Sequence, residues 1–257
     1  MTRILCCLLL FACAAGQAIA QGIQTPDNRV GVVYNYETAF NLKITTNRGY
    51  APGMEWGRLR TYYKTTYYYL NAGELKHPKE QRQSADPSVS RSFRAYVYGK
   101  QHNAMILRGG WGVKRYYTEK AKYKGVAVGM SYSVGPSLSL LKPYYLALRR
   151  PSPDNPGNSR VRHERYTAEN ADIFLDNTRI LGASPFTKGL GEISFVPGGS
   201  ASVALHLDWG AFDELVKALE IGAILDVFPK KLPILVSEEN DRFFLNFFVN
   251  FQFGKRR

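Results

Sequence analysis

The clearest alternation of apolar and polar positions lies near the C-terminus. Over residues 243–253 every odd-numbered residue is large and apolar: Phe243, Leu245, Phe247, Val249, Phe251 and Phe253. Asn246, Asn250 and Gln252 take alternate positions, together with Phe244 and Phe248. Successive side chains of a strand point to opposite faces, so this stretch presents one continuous hydrocarbon face and one amide-rich face. Its length, about eleven residues, is what a tilted strand needs to cross a bilayer core. A strand of a soluble sandwich shows the same alternation, so the stretch becomes informative only when others repeat it.

Others do. Residues 36–46 set Tyr36, Thr38, Phe40, Leu42 and Ile44 against Glu37, Asn41, Lys43 and Thr45. Over 104–117, Met105, Leu107, Trp111 and Val113 oppose Arg108, Gly110, Gly112 and Lys114. Val126, Val128, Met130, Tyr132 and Val134 oppose a uniformly small face in 125–134. Val203, Leu205, Leu207 and Trp209 oppose Ser202, Ala204, His206 and Asp208 in 200–209; Leu219, Ile221, Ala223, Leu225 and Val227 oppose Ala218, Glu220, Gly222 and Asp226 in 215–228. The spacing predicts further strands over 54–70, 92–98 and 137–148, the last broken at Pro143, which has no N–H to give a ladder. Turn residues punctuate 47–53, 99–103, Gly135-Pro136 and 210–214.

Two architectures turn such strands into a fold. A soluble sandwich packs the apolar faces together; a membrane barrel turns them to lipid and fills its lumen with the other face. Small residues and charges of both signs on the second face favour the barrel. So do Trp and Tyr near strand ends, as at Tyr67-Tyr68-Tyr69, and the alternation of short with long connections. The segments are odd in number, whereas single-chain bacterial barrels are even. Another strand therefore comes from 30–34 or 192–196, or 54–70 contains two. The expectation is an all-β, antiparallel transmembrane β-barrel of about ten strands, with about eight to twelve admitted. Its last strand closes against its first. Residues 149–199 form a long, partly helical loop insertion, with a turn-rich start and a short helix over 167–181 that has Thr167 as N-cap and Asn170 three residues on.

The first twenty residues change the picture of location. Arg3, the apolar run 4–15 and Ala18-Ile19-Ala20 read as a secretory signal peptide cleaved after Ala20, which leaves 21–257 as the barrel. A lipobox at 10–13, with Cys13 lipidated, is the competing reading. All 3 cysteines (Cys6, Cys7, Cys13) lie in this segment, so a closed backbone ladder replaces disulfides. The formal charge is +13. Export argues against nucleic acid as the partner; outer-membrane lipid and lipopolysaccharide phosphates are the anions at hand, unless the charge simply solvates loops. The expected location is the cell outer membrane of a Gram-negative organism.

The signal ending AIAQ and the segments LKHPKEQRQ (75–83), YGKQHN (98–103), SLLKPYYL (139–146), RYTAENADIF (165–174), FTKGLGEI (186–193) and NFQFGKRR (250–257) together resemble an uncharacterised family of Bacteroidetes-type outer-membrane β-barrel proteins. The resemblance spans essentially the whole mature chain. It implies an outer-membrane barrel inserted by the barrel assembly machinery, and it implies no activity. Many barrels of other groups end on an aromatic residue; here Phe253 is followed by Gly-Lys-Arg-Arg.

Catalytic chemistry finds little footing. His77, His102, His163 and His206 fit no metal-ligand spacing, and the nucleophile elbow GxSxG is missing from the sequence. Ser202, His206 and Asp208 share a face, but residues two apart in a strand are about 6.5–7 Å apart at Cα and Ser202 to His206 is twice that. No catalytic, cofactor-binding or metal residue is assigned. Arg94, Arg108, Lys114, His206, Asp208, Glu220 and Asp226 fall on inward faces and form a candidate lumen charge network, which in a narrow barrel should pair and plug it. Lys76, His77, Lys79 and Arg82 form a candidate binding loop for lipopolysaccharide phosphate or an envelope protein partner. The insertion 149–199 is placed to cap the mouth or dock a partner. The functional expectation is a barrel with a structural, interaction or assembly role. A small channel or uptake porin, a barrel lipid-modifying enzyme and a soluble exported β protein are the alternatives. Phe251→Asp or Phe253→Asp should block assembly, and Asn250→Ser should be tolerated.

Overall fold

A computed structural model of the chain describes residues 34–83, 94–118, 125–152, 155–211, 214–236 and 240–257. The expected signal segment and cleavage site, and 30–34 apart from Tyr34, lie outside them. Eight antiparallel strands close into a barrel: β1 (Tyr36–Thr45), β2 (Tyr50–Thr61), β3 (Lys64–Leu75), β6 (His102–Tyr116), β7 (Ala127–Pro143), β11 (Ser194–Asp208), β12 (Leu215–Val227) and β13 (Phe243–Arg256). The order round the barrel is β1-β13-β12-β11-β7-β6-β3-β2. Closure joins first strand to last, from Glu37↔Arg256 to Thr45↔Phe248. A closed ladder leaves no edge strand to pair with another chain.

The barrel has eight strands rather than the ten expected, and each discrepancy has a local cause. The segment 54–70 does contain two strands, β2 and β3, turning at Tyr62-Tyr63. Gly135-Pro136 is no turn: β7 runs straight through it, so 125–134 and 137–148 share one strand as far as Pro143. The β6–β7 register passes from Arg108↔Ser137 to Trp111↔Val134 without pairs between, which accommodates a proline that cannot donate. A Cβ on Gly135 would sit 2.1 Å from Gly109 O, so glycine lets the two backbones approach at this gap. Likewise Pro197-Gly198-Gly199 lies inside β11, which absorbs part of 192–196.

Of the strand predicted over 92–98, the described residues 94–98 do not join the barrel. Tyr96–Val97 (β5) pairs with Arg82–Gln83 (β4) in a separate ribbon, and 99–103 makes no hairpin because β6 pairs with β3. Tyr96 is buried in an apolar cluster with Leu146, Leu148, Phe174 and Ile180. The insertion is mainly sheet, not helix. β8 (Tyr145–Ser152), β9 (Asn155–Arg165) and β10 (Ile180–Ala183) form a 3-stranded sheet in the order β10-β8-β9. The turn-rich start of the insertion is thus the β8–β9 hairpin. The expected helix contracts to a 3-10 turn, Ala168–Asn170, and a single α turn, Ala171–Phe174. Thr167 N donates to Asn170 Oδ1 at 2.9 Å, the bond by which the third residue of a capping box reaches back to the N-cap.

The connections sort by rim. Strand β1 starts and β13 ends at the rim carrying 62–63, 117–126 and 209–214. The opposite rim carries 46–49 and the long connections 76–101, 144–193 and 228–242. Just inside that long-loop rim, Leu232 and Ile234 pack with Ile106, Leu141, Phe228 and Phe244 and seal the lumen. Gly198 leaves the space that the Phe228 ring needs, since a Cβ there would come within 2.5 Å of it. The outer surface is the reverse of a soluble protein's: Phe243, Leu245, Phe247, Leu205, Ile221 and Trp111 are exposed, while the charged and amide side chains between them are buried.

Candidate functional site

Strand parity alone decides which side chains enter the lumen, and it brings most of the anticipated network together. Lys114 Nζ donates to Glu37 Oε1 at 2.9 Å and to Gln252 Oε1 at 3.1 Å, and lies 3.0 Å from Glu55 Oε2. Gln252 Nε2 returns bonds to both Glu55 oxygens, at 3.1 and 3.2 Å, and Asn41 Nδ2 gives Glu55 another at 2.9 Å. Arg256 bridges Glu37 and Asp208 and donates to the carbonyls of Gly210 and Leu215. Tyr116 Oη donates to Asp208 Oδ2 at 3.0 Å and lies 3.3 Å from His206 Nε2. His206 Nδ1 is 3.1 Å from Glu220 Oε1. Deeper toward the sealed rim, Arg108 grips Asp226 through two parallel bonds of 2.7 and 2.8 Å, the bidentate geometry that suits guanidinium and carboxylate. Lys43 Nζ rests 5.1 Å from the centre of the Phe248 ring and 5.6 Å from that of Tyr69.

Arg108, Lys114, His206, Asp208, Glu220 and Asp226 are therefore lumen residues. Arg94 is not: it is exposed in the long-loop layer, where it bridges to Ala183, because 94–98 lie outside the barrel. Sequence reasoning missed Glu37, Glu55, Tyr116 and Arg256 as network members. Parity held the signal for three of them: Glu37 alternates with Tyr36 and Thr38, Glu55 with Met54 and Trp56, and Arg256 has the same parity as Asn250 and Gln252. The expected strand ends at Phe253, whereas β13 continues to Arg256. The imagined triad does not assemble. Ser202 Oγ bonds to Ser133 Oγ at 2.7 Å, and His206 and Asp208 are engaged by Glu220, Tyr116 and Arg256.

Asn250 corrects a tolerance expectation. Its Nδ2 donates to Glu220 Oε2 at 2.7 Å, fully buried. Asn250→Ser shortens the side chain and leaves that carboxylate oxygen without its donor. The expected cost is about 1–3 kcal/mol, read as a lowered urea midpoint of the refolded barrel.

A second arrangement sits on the long-loop rim. A cleft of about 910 Å³ is walled by separate stretches of chain near 46–48, 74–82, 94–105, 142–145 and 183–188. Of the anticipated binding loop, Lys76, His77 and Arg82 line it; Lys79 is exposed and does not. Arg94 lines it too, joined by Arg48, Lys142 and Lys188, which the sequence did not single out. Lys142 donates to Phe186 O and lies 3.7 Å from the centre of that ring. Lys100 and Glu80 form an ion pair with side chains 8% and 7% exposed. The second oxygen of Glu80, Oε2, is buried with no hydrogen-bond partner among the described residues. Tyr144 Oη accepts from Val97 N at 3.2 Å; burial raises its phenol pKa, which keeps it neutral.

The arrangement thus divides into a lumen whose charged groups mostly pair with one another and a basic cleft whose cations converge from distant parts of the chain. No protein-family model matches the chain, and no curated protein matches it either.

Proposed function

We propose that this chain is exported by its N-terminal segment, cleaved after Ala20, and inserted into a Gram-negative outer membrane as a plugged β-barrel of the Bacteroidetes type. Its role there is structural, interactive or in assembly. The carrying observation is the inverted distribution of polarity round a closed ladder: Phe243, Phe247 and Leu205 outside, Lys114, Glu55 and Asp208 inside. Lipid is the solvent for which that arrangement is stable, because the strands pair edge to edge round a closed ladder and the belt buries apolar area. The short-turn rim, with both ends of the described barrel, then faces the periplasm, and the long-loop layer faces outward.

A plugged anchor fits better than a channel. Eight strands leave an interior just wide enough for side chains, Lys114 and its partners fill it, and Leu232 and Ile234 close one end. The barrel should appear in outer-membrane fractions as a species whose gel migration changes on boiling. In planar bilayers it should give no steady conductance; a sustained, ion-selective current would instead establish the small-porin reading.

A further inference from the structure

We infer that the basic cleft on the long-loop rim binds a phosphate-bearing, polyhydroxylated headgroup. Seven cations, Arg48, Lys76, Arg82, Arg94, Lys100, Lys142 and Lys188, converge on it from stretches far apart in sequence. Two carboxylates share the lining, and each already faces a lysine: Glu74 lies 2.9 Å from Lys76, and Glu80 is held by Lys100. Gathering like charges by folding costs repulsion that a bound polyanion offsets, and arginine with lysine is the donor set that phosphate oxygens accept.

Inorganic phosphate does not account for the rest. The cleft, about 910 Å³, is far larger than one phosphate and lies within the range of pockets for larger ligands, about 300–1,000 Å³. Glu80 Oε2 is a buried acceptor with no donor among the described residues. A carboxylate oxygen so placed repels an anion but accepts a hydrogen bond from a hydroxyl. Anion-binding walls beside a hydroxyl acceptor describe a ligand carrying both phosphates and hydroxyls, such as a phosphorylated sugar. The lining also includes Met105, whose side chain is exposed on the apolar outer face next to the rim, so the cleft opens at headgroup level. This rests on the membrane reading above. The same chemistry has two sources, a glycolipid of the surrounding leaflet or a free phosphosugar.

The test uses the mature chain refolded in phosphatidylcholine nanodiscs, with heat-modifiable migration as the check on folding. Calorimetric titration compares the bisphosphorylated glucosamine disaccharide of lipid A, the same disaccharide without phosphates, and inorganic phosphate. The bisphosphorylated sugar should bind at least about tenfold more tightly than either of the others. Arg82→Glu with Arg94→Glu and Lys188→Glu, all at exposed positions, should weaken it at least about tenfold. Lys230→Glu with Lys231→Glu, a charge change outside the cleft, should alter it by less than about twofold. Glu80→Gln should narrow the gap between sugar and inorganic phosphate. Lipid A doped into the discs identifies the source: if it blocks the soluble sugar, the ligand is leaflet-borne, and if it does not, the ligand is free. A folded barrel that binds none of these probes overturns the inference. So does one that binds all of them alike, or one in which the Lys230/Lys231 variant loses as much as the cleft variant. Failure of the membrane reading shows separately, as a chain that stays water-soluble and never migrates as a heat-modifiable species.

Discussion

Lys114→Ala is expected to destabilise the barrel by about 3–5 kcal/mol, the cost of removing one partner from a buried ion pair. That is a large part of a typical domain's net stability of about 5–15 kcal/mol, so the variant should refold poorly and lose its compact species at low urea. The loss divides unevenly between the two carboxylates. Glu37 keeps Arg256. Glu55 keeps only amide donors, Asn41 and Gln252, and is left as the uncompensated buried charge. Lys114→Met combined with Glu55→Gln should therefore recover most of the lost stability, because it removes the stranded charge while Glu37 stays paired. The measurement is the urea midpoint of refolding in detergent for the single and combined variants. A Lys114→Ala barrel with an unchanged midpoint would show that the lumen network does not hold the barrel together.

The same residues show how far the sequence could be read. Parity over 218–223, 225–227 and 243–253 agrees with the inward and outward side chains of β12 and β13 there, because a strand's period of two is independent of where the strand begins or ends. Strand number depends on boundaries, and these misled. Gly135-Pro136 and Pro197-Gly198-Gly199 carry the composition of turns, yet they lie within β7 and β11. Their small or donor-less residues answer to close backbone approach and to the Phe228 ring, contacts that no local pattern contains. Conversely, β2 turns into β3 at Tyr62-Tyr63, a dipeptide without glycine, proline or asparagine. The cleft was half visible: 75–83 supplied Lys76, His77 and Arg82, but Arg48, Lys142 and Lys188 meet them only through the packing of the long-loop layer. Arg94 was assigned inward on the alternation of 92–98, and its true place follows from Tyr96 being drawn into the cluster with Leu146 and Phe174.

Phe247→Arg separates a lipid-facing belt from an apolar surface in water. Phe247 is 62% exposed on β13, four residues in from the start of that strand and opposite Ala223 of β12. In a water-soluble barrel, exchange of so exposed a side chain costs no more than about 0.5 kcal/mol, and it would improve solubility. At mid-depth in a bilayer, arginine on the outer face costs about 2–4 kcal/mol, falling to about 0–1 near the interfaces. Tyr36→Arg supplies the depth control, because Tyr36 is 55% exposed and starts β1 at the short-turn rim. Folding free energies in phospholipid vesicles should therefore fall markedly for Phe247→Arg and little for Tyr36→Arg. Phe251→Asp, also on the outer face of β13, should lower insertion for the same reason, by less than arginine because acidic residues are less costly there. Equal, small effects at Phe247 and Tyr36 would mean that the belt meets water, and the membrane assignment would fall with it. A depth-graded penalty follows only if a hydrocarbon layer surrounds the strands, since the two side chains are similarly exposed.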